Sequence, residues 1–112
     1  MQKPRTKADA ARLERWSALS SFVGSGVRVS FDGVSFDTRL TSYGMARLAD
    51  VVNTPEKRDD GGKLYTPRMI ALTFADGIFY LVDEDVARID QLTRGTHVTM
   101  VGGLDIKLER LA

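Results

Sequence analysis

Two kinds of side chain recur through the middle of this 112-residue chain: flat rings and cations. The rings are Tyr43, Tyr65, Phe74 and Tyr80; the cations are Arg39, Lys57, Arg58, Lys63, Arg68, Arg94 and Lys107. Such rings can stack on bases, at about 1–3 kcal/mol for each base, and such cations can neutralise phosphates in a salt-dependent way. Arg39 and Tyr43 stand at an even separation, so a regular strand projects both from one face. Lys57, Arg58, Lys63 and Tyr65 fall in a stretch rich in turn residues, which suits contacts made from a loop. Each side chain also has a structural role open to it. The five phenylalanines, Phe74 among them, suit the filling of a small β core. Tyr65 and Tyr80 divide between surface packing and contact. Glu56, Asp59 and Asp60 offer Lys57 and Arg58 local neutralisation, which favours a solvated loop.

Other chemistries find less support. Ser20, Ser21, Ser25 and Ser30 have no patterned base, and the single histidine, His97, alternates with Val98 on an expected strand. The absence of cysteine rules out thiolate ligands and disulfides. Asp83, Glu84, Asp85 and Asp90 lack the glycine and the spacing of a calcium loop and read as helix-capping acids. "VGSGV", 23–27, is a turn from helix to strand, the reverse of the order a phosphate cradle requires. These residues predict no enzyme, no metal, no cofactor and no small-molecule substrate. Net charge is +1, but residues 1–15 hold five cations against two anions, so the rest of the chain carries −2. That is a basic arm on a slightly acidic body, weaker than the footprint of a duplex-DNA binder. No apolar run is long enough for a membrane span and none near the start resembles a secretory signal, so a cytoplasmic location is the default.

The elements that would position these groups follow from periodicity. Residues 1–7 read as a disordered basic arm and 8–112 as one domain. Leu13, Trp16, Leu19 and Val23 recur at threes and fours, which predicts a helix over 8–23 stopped by Gly24. Leu13 and Trp16 on its stripe suit packing on the domain or contact with a second subunit. After Gly26 the period becomes two. Three strand–turn–strand units centre on Asp32-Gly33, Asp76-Gly77 and Gly102-Gly103, pairs that favour tight hairpins. Residues 53–67, "NTPEKRDDGGKLYTP", read as a long mobile loop. "DEDVARIDQL", 83–92, reads as a short helix ended by a left-handed Gly95, plugging the sheet before its last strand pair. The fold class that results is mainly β: a small antiparallel barrel with an N-terminal helix and one short helix.

"L-x-R-G-x-x-V-x-M-x-G-x-L", set by Leu92, Arg94, Gly95, Val98, Met100, Gly102 and Leu104, resembles bacterial single-stranded-DNA-binding proteins. In that family the helix of an OB-fold passes into a strand through such a pattern. "VRVSFDG" and "VVNTPEKRDDGGKLYTPRMIALTF" are similar to its opening strand and to its later strand–loop–strand, so the resemblance spans roughly 27–108. It implies an OB-fold, an oligomer and a base-stacking face. The chain departs from the family in having Pro67 at a strand entry filled there by Trp, and Asp105 where the family is basic. "GVRVSFDGVSFDTRLTSYG" is in turn similar to the opening strands of Sm-like RNA-binding proteins, also small barrels.

The reading that joins these strands is a non-enzymatic binder of single-stranded DNA, or less readily RNA, through an OB-like face. It would be a homo-oligomer joined through strand edges or the Trp16 helix. The alternative is an OB- or Sm-like barrel serving as a protein-interaction or assembly module without nucleic acid.

Overall fold

A computed structural model describes residues 7–47 and 55–111. The arm expected over 1–7 lies outside them except for Lys7, as do residues 53 and 54 of the expected loop. Helix α1 covers Lys7–Glu14, and a 3-10 helix follows over Ser17–Phe22. Among the described residues nine strands come next: β1 Gly26–Phe31, β2 Val34–Met45, β3 Lys57–Arg58, β4 Leu64–Tyr65, β5 Met69–Phe74, β6 Gly77–Val82, β7 Val86–Leu92, β8 Gly95–Met100 and β9 Asp105–Arg110. The molecule is mainly β, and no described helix is long and apolar enough to cross a membrane.

Seven of the strands form one antiparallel sheet in the order β6-β5-β2-β1-β9-β8-β7, and β3 and β4 form a small separate hairpin. β2 is the pivot. Its first half, Val34–Arg39, pairs with β1 and its second half, Leu40–Met45, with β5. The register slips between Leu40 and Ser42, leaving Thr41 as a bulge whose hydroxyl donates to the Thr73 carbonyl at 3.0 Å. A bulge bends and twists its strand, which curls the two halves of the sheet toward each other. The curl does not complete a ring: β6 and β7 stand as the two ends of the order, with no ladder between them.

The hairpins form by different means. At β1–β2 Asp32 (φ 48°) and Gly33 (φ 76°) both take the positive φ of a type I′ turn, as their sequence implies. Gly102 (φ 97°) and Gly103 (φ 94°) also take positive φ in the β8–β9 connection, where the Gly103 amide donates to the Met100 carbonyl at 3.2 Å and closes a turn centred on Val101-Gly102, one residue ahead of the expected pair. At β5–β6 the turn is Ala75-Asp76, because Gly77 already pairs with Phe74 as the first residue of β6. That turn lies one residue ahead of the expected Asp76-Gly77 pair.

Two helix expectations are corrected. The segment 83–92 is not a plugging helix: only Asp83–Asp85 forms a 3-10 turn, and Val86–Leu92 is strand β7, laddered to β8. Val86, Ile89 and Leu92 stand three apart and so mimic a helical stripe, but Val86 alone is buried. Tertiary pairing with β8 outweighs a weak local preference. The helix expected over 8–23 breaks after Glu14. Trp16, Leu19 and Phe22 are buried, whereas Val23 is 40% exposed. Spacing of three is the period of a 3-10 helix, which puts those three side chains on one face.

The plug is therefore N-terminal. Trp16 and Leu19, with no exposed surface, and Phe22 join a core drawn from both halves of the sheet, including Val27, Leu40, Ile70, Leu72, Val98, Ile106 and Leu108. Polar contacts fix the segment. Arg15 donates from Nη2 to the Val86 carbonyl at 2.8 Å, and Arg110 donates to the Ser21 carbonyl at 2.7 Å while its guanidinium lies 4.8 Å from the centre of the Phe22 ring. Arg12 and Arg15 approach the buried carboxylate of Asp83 at 3.6 and 3.8 Å. Trp16 is thus occupied within its own chain, with no side-chain surface left for a subunit contact, and Leu13 is half-buried against the same core.

Candidate nucleic-acid interface

The outer face of β2, β5 and β6 carries a groove lined by Ser42, Gly44, Arg47, Ala71, Thr73, Ile78 and Tyr80, together with the backbone around Tyr43. The ladder explains the grouping. Gly44 faces Ala71, and Ala71 faces Tyr80; Ser42 faces Thr73, and Thr73 faces Ile78. Two rows of small residues therefore run across the three strands, each ending in a larger side chain on β6. Gly44 is buried and Ala71 half-buried beside the half-buried Tyr80 ring, and Ile78 is 47% exposed. Arg39 is exposed at one end of the face, where its carbonyl accepts from Ala75. Arg47 is exposed at the other, one residue beyond the Ala46 amide that donates to Met69. Seven strand steps separate the two arginines once the Thr41 bulge is allowed for, about 23 Å. Among the described residues no carboxylate lines the groove.

The outer face of β1, β9, β8 and β7 differs in charge. Arg28 makes a two-pronged bond to Asp37, at 2.8 and 3.2 Å, which raises the arginine pKa and lowers that of the aspartate. Arg88 pairs with Asp90 at 2.7 Å, and His97 approaches Asp105 at 3.6 Å. Cation and anion alternate there, and little field is left for a polyanion.

The sequence-predicted residues scatter over three places. Tyr80 lines the groove, and Arg39 is exposed further along β2, outside its lining. Tyr43 does not join Arg39, because the Thr41 bulge reverses the alternation and turns Tyr43 into the core at 9% exposure. Phe74 is core as well, 4% exposed and edge-on to Phe79 with ring centres 5.5 Å apart, so neither ring is open to a base. Arg94 is exposed in the β7–β8 turn and Lys107 is exposed on β9, both away from the groove strands.

Lys57, Arg58, Lys63 and Tyr65 belong to the β3–β4 hairpin, which replaces the structureless loop expected over 53–67 as far as that stretch is described. Asp59 organises its turn, accepting from the Gly61 and Lys63 amides at 2.9 Å each, and Arg58 donates to the Gly62 carbonyl at 2.8 Å. The hairpin is tied to the Asp83–Asp85 turn. Lys57 donates to Asp85 and stands 3.3 Å from Glu84, and the Tyr65 hydroxyl donates to Glu84 at 2.5 Å. The bond to Asp85 foremost raises the Lys57 pKa, and the bond to Glu84 foremost raises that of Tyr65. Both groups serve an internal latch. Arg68 leads into β5, and its carbonyl accepts from the Asp83 amide at 2.9 Å.

Sequence reasoning missed Arg47, Ile78 and the small residues between them. The signal available was Gly44 and Ala71 inside strand patterns, since a residue without bulk in a strand marks a place where something else approaches. Comparison with protein-family models, with curated protein sequences and with solved structures gives no match.

Proposed function

We propose that this protein is a non-enzymatic binder of single-stranded nucleic acid, DNA in preference to RNA, using the β2–β5–β6 face of an OB-like barrel. The observation that carries the reading is a groove of small residues flanked by Tyr80 and Ile78, with Arg47 at one end, Arg39 exposed further along β2 and no carboxylate among its described lining. Bases would lie along the half-buried Ala71 and Thr73 against the Tyr80 ring while the backbone tracks between the two arginines, a sequence-tolerant mode of recognition. The curled sheet with its N-terminal plug supports the same reading; of the Leu92–Leu104 resemblance to single-stranded-DNA-binding proteins only the residue pattern remains, since the helix it implies before Gly95 is strand β7. The preference for DNA rests on that resemblance.

Fluorescence anisotropy with labelled oligo-dT tests it. Saturable binding is expected at about 50 mM salt and should weaken as salt rises. Tyr80→Ala should weaken it by about 5- to 150-fold, the equivalent of one lost stacking contact. No saturable binding at low salt would remove the proposal. A second reading, a protein-assembly module, is favoured by the latch that engages Lys57 and Tyr65 and by the neutralised face around Arg28 and Arg88.

A further inference from the structure

The two outer strands of the seven-stranded sheet are built differently. β7 carries Arg88 and Asp90, and its ladder to β8 slips between Val86 and Arg88. Charges and bulges are the devices by which natural sheets keep an edge from recruiting another strand. β6 has neither. It reads GIFYLV, six residues without charge or proline, and its ladder to β5 runs unbroken from Gly77 to Val82. Among the described residues no strand lies along its outer side.

We infer that the β6 edge docks a second copy of this chain, antiparallel about a two-fold axis, so that two sheets become continuous. Opposed residues in an antiparallel pair share a face, so only a two-fold passing through a residue position keeps inward residues with inward ones. Centred on Phe79, the axis sets Ile78 against Tyr80 of the second copy, and does so twice, a β-branched–aromatic pairing that favours association. Centred on Tyr80, it sets Ile78 against Val82 and Phe79 against Leu81. Within β6 the Phe79 register opposes only uncharged residues, so nothing ionic loses solvent there without compensation, whereas the Tyr80 register sets Gly77 against Asp83 of the second copy. The contact closes on itself as a dimer and does not propagate, unlike a head-to-tail junction. It also sets the two β2–β5–β6 faces side by side, but the dimer does not depend on what those faces bind.

Sedimentation equilibrium from micromolar to hundreds of micromolar protein reads the association directly. A dimer is expected, and Ile78→Lys, a change at an exposed position, should return it to monomer with the circular-dichroism spectrum in place and a melting temperature that no longer varies with protein concentration. Because the chain has no cysteine, the double variant Ile78→Cys/Tyr80→Cys offers an independent readout. It should form a disulfide-linked dimer on mild oxidation with the axis at either position. A protein that stays monomeric throughout overturns the inference, all the more if its 78–82 amides resist hydrogen exchange, since the chain then covers its own edge. A dimer that ignores Ile78→Lys and does not cross-link uses another surface and overturns it equally.

Discussion

Gly95 faces Glu109 across the β8–β9 ladder so closely that a Cβ at position 95 would meet the Glu109 Cα at 3.1 Å and the preceding Leu108 carbonyl oxygen at 2.1 Å. The obstruction is backbone in the middle of a sheet and cannot rotate aside. Gly95→Ala should therefore cost about 3 kcal/mol or more, the upper range for overpacking a well-filled site. Gly103 makes the opposite case. Its φ of 94° is unfavourable for a side chain, but nothing lies within 4 Å of the added Cβ. Gly103→Ala should cost about 1–2 kcal/mol from backbone strain alone. Urea denaturation of both variants checks the order. Equal losses would mean that β8 and β9 can part at Gly95.

Trp16 has no exposed surface, and its indole Nε1 has no hydrogen-bond partner. Those two facts separate its apolar and polar contributions. Trp16→Ala should cost about 3–5 kcal/mol, as large aromatic truncations in cores do. Trp16→Phe keeps most of the ring and removes an unsatisfied donor, so its cost should be clearly smaller. Thermal and urea unfolding measure both. A Trp16→Ala variant that keeps its stability but dissociates from an oligomer would instead place the indole at a subunit contact.

The fold was legible where local chemistry and tertiary structure agree. Asp32-Gly33 and the paired glycines at 102–103 specify positive φ, and the alternation of Val27 with Val29 and of Ile106 with Leu108 specifies a buried face. It was illegible where one pattern serves two structures. Val86, Ile89 and Leu92 fit a helix stripe as well as a strand, and Gly95 fits a left-handed cap as well as a close strand approach. Only the pairing of β7 with β8 and of β8 with β9 decides between them. The dispersal of the candidate site residues has a sharper reason. A bulge has no reliable signature in composition, and the one at Thr41 sends Tyr43 inward, leaving Arg39 without its expected neighbour. Partners distant in sequence are equally hidden: nothing near Lys57 or Tyr65 announces Glu84 and Asp85.

That latch sets an alkaline limit on how the β3–β4 hairpin is held. Tyr65 must keep its proton to donate to Glu84, and its pKa is raised above the ordinary 10.0 chiefly for that reason. Lys57 must keep its proton to pair with Asp85 and Glu84, and its pKa is raised above the ordinary 10.5. A group whose folded pKa exceeds its unfolded one contributes stability that is complete below the unfolded value and is lost as pH rises through the folded value. Both therefore act in one direction: the attachment is complete at neutral pH and fails in the strongly alkaline range, beyond the point at which an isolated tyrosine ionises. The groups are solvent-exposed, so global stability should barely register the change. A local probe will. The Tyr65 ring carbon bearing the hydroxyl, followed by NMR through a pH titration, should report ionisation above 10.0, with the 57–65 amides losing exchange protection over the same interval. Glu84→Gln keeps the size of the acceptor but removes its charge, and should bring the Tyr65 midpoint back toward 10.0. Tyr65 ionising at or below that value in the unsubstituted protein would show that the hairpin is not latched to the Asp83–Asp85 turn in solution.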